Sequence, residues 1–138
     1  MTAHIEPRQV LTCRLGTGFV GIDFLWVRDV VFSPAIVTVP DKRPWVAGGM
    51  SMGETLAPVV DLRARFGLAP PPEGQCRPVV VVAVGPLRAG LRVDGVGEVV
   101  ALRPGALDLG VSRPGVHALL RVGTRVVEML DLGEVLAG

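Results

Sequence analysis

The chain has 138 residues, with 14 Lys or Arg against 13 Asp or Glu and a formal net charge of +1. That length allows one domain, or two small lobes sharing a core. The near-neutral balance, with arginines scattered among acids, argues against nucleic-acid binding, which needs a concentrated positive field. Hydrophobic residues make up 49% and charged residues 20%, a globular composition. The longest apolar run, Val79 to Val84, is far too short to span a bilayer, and the N-terminal MTAHIEPRQV has no apolar signal core. The expectation is a soluble cytoplasmic protein with no direct membrane insertion.

Aromatic residues are only 4%, so the apolar content comes mostly from Val, Leu, Ala and Gly. Valine-rich segments cut by Gly and Pro favour strands. The first predicted strand is Val10 to Leu15, and a second runs from Phe19 to Ile22. The glycine-rich GTGFVG between Gly16 and Gly21 joins two strands and opens no helix, so it reads as a turn and not a phosphate cradle. VRDVV, Val27 to Val31, is a strand or a tight helical turn. A Pro-bearing loop then leads to a hairpin with arms Gly48 to Met52 and Thr55 to Val60. Its turn, Gly53-Glu54, suits type II′, which needs positive φ at the first central position. Ser51 in GMSMG lies in a hairpin arm, whereas a nucleophile elbow needs strand–Ser–helix. Asp61 caps a short helix, LRARF, with Gly67 as its stop. GLAPPPEGQ, Gly67 to Gln75, is the crossing to the second half of the chain.

From Val79 the pattern starts again. RPWVAG at Arg43 to Gly48 and RPGVHA at Arg113 to Ala118 stand 70 residues apart, and at that spacing Gly53 falls on Gly123 and Val59 to Leu62 on Met129 to Leu132. VRDVV matches VGEVV, Val96 to Val100, at a spacing of 69. The second unit predicts strands at Val79 to Val84 and Leu91 to Val93. Its hairpin, Ala118 to Val122 and Arg125 to Leu130, turns at Gly123-Thr124, and Asp131 caps a final helix, LGEVL. Two units of about seventy residues, each with five or so short strands and Gly or Pro at the corners, predict small β-barrels packed on each other. The expected lobes are residues 9–68 and 76–136 of a single domain, with the C-terminal helix packing back on the first lobe.

A reactive centre is not evident. His4 lies in a loose N-terminus, and His117 matches Ala47 in the other unit, which suits a structural or exposed histidine. No Cys/His cluster has metal-ligand spacing, and Cys13 and Cys76 read as buried thiols rather than a disulfide. Trp26 and Trp45 read as core residues, Trp45 otherwise as an exposed docking anchor. A scaffold without catalysis or cofactor remains, which favours a binding module.

Several segments, in order, resemble the CheW-like family of bacterial chemotaxis adaptors, whose domain also occurs at the end of the CheA histidine kinase. They are GIDFLWVRDVV (Gly21 to Val31), PWVAG (Pro44 to Gly48), LAPVVDLRARFGL (Leu56 to Leu68), GLRVDGVGEVV (Gly90 to Val100) and VEMLDLGEVL (Val127 to Leu136). The resemblance implies a mainly β fold of two packed five-stranded barrels with short helices, no catalysis and no cofactor. The implied partners are the cytoplasmic tip of a chemoreceptor (a methyl-accepting chemotaxis protein) and the regulatory domain of a CheA-type kinase.

The same resemblance assigns partner contacts to Val27, Asp29 and Val30, to Gly48, Met50, Met52, Gly53 and Glu54, and to Val93, Asp94 and Val96. It also marks departures. Gly53 stands where the family pattern has arginine, with Glu54 beside it, and an Arg makes bidentate contacts that neither can replace. The expectation is an adaptor with weakened kinase coupling; the alternatives are a conventional coupling protein and, more remotely, a small-barrel nucleic-acid binder. Ala118 stands where the second hairpin would open on glycine, and the connector from Leu107 to Pro114 is short for the family.

Overall fold

A computed structural model describes residues 8–110 and 113–137 of the chain. His4 and part of the 107–114 connector lie outside the described residues. Strands β1 (Gln9–Leu15) and β2 (Gly18–Asp23) form a hairpin, and a single 3₁₀ turn (Phe24–Trp26) leads to β3 (Val27–Val31). The hairpin β4 (Val46–Met52) and β5 (Thr55–Asp61) is followed by α1 (Leu62–Arg65). The second half repeats this with β6 (Val79–Val84), β7 (Leu87–Arg92), β8 (Gly95–Ala101), a two-residue β9 (Leu107–Asp108), β10 (Val116–Val122), β11 (Arg125–Leu130) and α2 (Leu132–Leu136).

Four hairpins turn over two residues, and each turn opens on a glycine of positive φ: Gly16 (61°), Gly53 (65°), Gly85 (57°) and Gly123 (60°). No other residue type has positive φ among the described residues, as a type II′ turn requires. The Gly85-Pro86 turn reverses the chain directly after β6, so β7 starts at Leu87 and not at the expected Leu91, and Val93 lies beyond its end. VRDVV and VGEVV are both strands.

The strands form two sheets, in the orders β8-β1-β2-β11-β10-β9 and β3-β6-β7-β5-β4. Read through the repeat, the orders are the same, apart from the extra β9. Each sheet nevertheless takes its strands from both halves of the chain. The β1–β2 hairpin pairs with β8 and, in parallel, with β11, while β6–β7 pairs with β3 and, in parallel, with β5. The expected lobes 9–68 and 76–136 therefore do not coincide with the sheets. The exchange lets each half cover valine faces that a seventy-residue barrel alone would leave exposed. Gly21 and Gly90 hold corresponding places in the parallel pairings, facing Met129 and Val59. A Cβ there would lie 2.8 Å from Val10 Cγ1 and 2.5 Å from Val79 Cγ1 respectively, so the close approach of the strands requires glycine at both.

Each sheet wraps its own small core, Val10, Ala118, Leu120, Val127 and Met129 in one and Met50, Val59, Val79 and Val81 in the other. Val31 of edge strand β3 packs on the second of these cores together with Met50 of the opposite edge strand β4, so the sheet curls into an open barrel. A third core lies between the barrels and combines Cys13, Ile22, Val60, Leu62, Leu91, Leu130, Leu132 and Val135. Asp61 and Asp131 cap α1 and α2 through Arg63 N and Glu134 N. Arg65 of α1 donates to the carbonyls of Glu134 and Val135, and Arg43 to that of Leu136, which ties α2 to the first half of the chain. Arg65 also stacks 4.6 Å over Trp45, which is half-buried against the central core and is not an exposed anchor.

Candidate functional site

Between β3 and β4 the five-stranded sheet does not close, and an open groove of about 400 Å³ forms at this mouth. β3 contributes Arg28, Asp29 and Val31, the β4–β5 hairpin contributes Met50, Ser51, Met52, Gly53 and Thr55, and Val81 and Arg88 come from β6 and β7. The curl of the sheet thus brings together Asp29, Met50, Met52 and Gly53, which sequence alone places in two separate segments. Met50 is buried in the barrel, and Met52 is half-buried above it. Methionine is flexible and polarizable and adapts to varied contacts. Asp29 is exposed, and among the described residues its side chain accepts only from its own neighbour, Val30 N, at 2.8 Å. Arg28 donates to the carbonyls of Leu25 and Val27. Arg88 is exposed, and its side chain has no hydrogen bond or ion pair among the described residues. Glu54 is exposed at the turn but does not line the groove.

The other expected contacts lie elsewhere. Val27 and Val30 are half-buried against the central core. Gly48 is buried at φ 154°, and a side chain there would meet the carbonyl of Val37 and the side chain of Ile36. Val96 lines a separate groove with Thr12, Phe19 and Arg125. Val93 and Asp94 are 0% and 3% exposed, so neither side chain is presented to a partner.

Asp94 is the centre of a buried ionic network instead. Arg63 Nε donates to both of its carboxylate oxygens at 2.9 and 3.0 Å, Gly16 N at 2.7 Å and Arg77 Nε at 3.3 Å. The other arm of Arg77 makes a bidentate pair with Asp61 at 2.6 and 2.8 Å. Burial is the largest influence on the Asp94 carboxyl and would raise its pKa, but the bonds from Arg63 and Gly16 and the charges of Arg63 and Arg77 together hold it below the usual value. Asp61 behaves alike: burial pushes it up, and Arg77, then Arg63 N, bring it down further. Asp61 is therefore a cap and an ion-pair partner at once. Nothing local in the sequence marks Arg77, which stands outside any element, or Arg88, which reaches the groove only because β7 crosses into the other half's sheet. Among the described residues, no group of three His, Cys, Asp or Glu side chains could hold a metal ion, and no helix is long and apolar enough to cross a membrane.

Comparison with known proteins agrees with this architecture. The model of the CheW-like domain family matches residues 9–138. This chain belongs to the CheW-like family. It is 23% identical to the chemotaxis protein CheW of Treponema pallidum, over 96% of this chain and 84% of that one. It is also 23% identical to the chemotaxis protein CheW of Klebsiella aerogenes, over 94% and 82%. The crystal structure of the scaffolding protein TtCheW from Thermoanaerobacter tengcongensis superposes with a TM-score of 0.82 at 21% identity, covering 91% of this chain and 90% of that one. The fold is thus that of a CheW domain, and family membership points to a scaffold rather than a catalyst.

Proposed function

We propose that this chain is a non-catalytic cytoplasmic adaptor that binds the cytoplasmic tip of a chemoreceptor and couples it to the regulatory domain of a CheA-type histidine kinase. The observation that carries the reading is the family match over residues 9–138. The groove at the first barrel mouth supports it, since its methionines and unpaired charges suit a protein partner. Gly53 and Glu54 stand at the tip of that groove's hairpin, where the family resemblance implies an arginine, and their presence weakens the kinase contact. Calorimetric titration of the kinase regulatory domain tests this. Restoring the pair by Gly53→Arg with Glu54→Gly moves the glycine from the first turn position, where φ is 65°, to the second, so the turn changes from type II′ to one with its glycine second. The double substitution should tighten kinase binding about tenfold, the scale of one charge-assisted contact, with receptor binding unchanged. Full kinase activation by the wild-type chain in a mixture with receptor, unchanged by the double substitution, would instead mark a conventional coupling protein.

A further inference from the structure

The repeat allows the two barrel mouths to be compared position by position. β6 and β1 correspond at a spacing of 69, as do β7 and β2, and β3 and β8, with the same bulge in the outer pairing. Asp29 therefore matches Glu98 and Arg88 matches Phe19, while at the hairpins' spacing of 70 Thr55 matches Arg125. In the second mouth Phe19 packs against the barrel core, Arg125 lies 4.9 Å over its ring, and Arg125 pairs with Glu98 at 2.8 Å. That mouth carries an aromatic plug and a charge bridge of its own. In the first mouth the plug position holds Arg88, the bridging cation is replaced by Thr55, and the acid Asp29 has no cationic partner among the described residues.

We propose that Arg88 is a specificity-determining residue of this chain: it pairs with a carboxylate on a partner segment whose apolar side chains enter the first mouth over Met50 and Met52. Charge complementarity selects the occupant. The groove holds two arginines against one carboxylate; Arg28 is held to its own backbone through Nη1, whereas the Arg88 guanidinium has no hydrogen-bond or ion-pair partner among the described residues, so Arg88 is the freer cation for the incoming acid. The use of the kinase regulatory domain as a probe rests on the adaptor reading; the chemistry assigned to Arg88 does not.

Two measurements decide it. In the first, the kinase regulatory domain is titrated into the wild type, Arg88→Glu and Arg125→Glu, at low and high salt. Arg88→Glu should weaken binding about thirtyfold at low salt and less at high salt, because the contact is a partly screened ion pair. Arg125→Glu should leave affinity within about twofold, as expected for a charge outside the contact. In the second, two short synthetic peptides, N-acetylated and C-amidated Leu-Glu-Leu-Leu and Leu-Gln-Leu-Leu, which differ in a single carboxylate, are added while the methionine methyl signals and the Arg88 Nε–H signal are followed by NMR. The Glu peptide should shift the signals of Met50, Met52 and Arg88, and the Gln peptide should do so much less. Kinase binding that is unaffected by Arg88→Glu overturns the proposal while leaving the adaptor reading intact. A wild type that binds no kinase domain overturns the adaptor reading, and the peptides then decide Arg88 by themselves, with equal shifts from both or from neither rejecting it.

Discussion

At the mouth of the six-stranded barrel, Phe19, Arg125 and Glu98 satisfy one another; at the corresponding place on the five-stranded barrel, Arg88, Thr55 and Asp29 do not. A second pair of matched positions differs even more. Asp94 corresponds to Leu25, yet Asp94 is 3% exposed within its ionic network while Leu25 is 67% exposed on a 3₁₀ turn. What the two halves keep in common is the backbone: the turn glycines, the bulges, the capped helices, and the glycines of the parallel pairings. What they do not share is side-chain chemistry at the ends of the strands. The repeat fixes a fold, and its divergence gives one barrel a smaller mouth groove crossed by an internal charge bridge and the other a larger groove whose charges are not bridged to one another.

The largest effect expected from breaking this asymmetry lies in the network. Asp94→Ala leaves Arg63 and Arg77 without their shared buried anion and should destabilise the chain by about 3–5 kcal/mol in urea denaturation. The matched change Leu25→Ala, at an exposed site, should stay within about 0.5 kcal/mol. The same network predicts a pH dependence. Asp94 and Asp61 have folded-state pKa values below those of the unfolded chain, so in acid the unfolded state binds more protons. The stability they contribute is complete above the unfolded value of about 4 and is lost as pH falls through it toward the folded values. Asp94→Asn should flatten this acid limb. An acid limb as steep as that of the wild type would show that Asp94 is not among the groups that the acid transition titrates.

A smaller effect is expected at the start of the first hairpin. Gly48 and Ala118 occupy the same bulge, in β4 and β10. Ala118 is accommodated without exposure, so an alanine looks permissible at both. At Gly48, however, φ is 154° and the incoming Cβ would strike a backbone carbonyl, that of Val37, which cannot rotate away. Gly48→Ala should therefore cost about 2–3 kcal/mol, as overpacking against a fixed backbone does. A cost below about 0.5 kcal/mol would mean that the Ile36–Val37 segment simply moves aside.

The range of the forces involved decides how much of this is legible in the sequence. The hairpin turns, the two aspartate caps and the repeat are local, and Gly53, Gly123, Asp61 and Asp131 behave as their neighbours dictate. The exchange of hairpins between sheets has no local signature, because the parallel partners Gly21 and Met129, or Val59 and Gly90, are brought together by the barrel and not by adjacent sequence. The candidate site is only partly legible for the same reason. Asp29, Met50, Met52 and Gly53 do share a groove, but Arg88 joins them only through the crossing of β7. Asp94 is buried between two distant arginines, which its V-D-x-V stretch does not reveal. Among the departures from the family pattern, Ala118 is tolerated because its φ, unlike that of Gly48, is not positive, and Gly53 meets the positive φ of its turn.

The smallest expected effect compares core with connector. Cys13 and Cys76 both read as buried thiols, yet Cys76 is exposed on the segment that precedes β6, with its Sγ donating to the Phe32 carbonyl, and only Cys13 is buried. Burial pushes the Cys13 thiol up to about 12, so it carries almost no thiolate at neutral pH, and the thiolate is the nucleophile. Native protein treated with a thiol reagent should take up one label, at Cys76, and a second only on unfolding. Because the Cys13 side chain belongs to the core shared by both barrels, the rate of that second labelling reports how often the barrels separate. Asp94→Ala should accelerate it, whereas Arg88→Glu, at the open mouth, should not; equal acceleration by both would mean that the first mouth is as much a part of the lock as the network is.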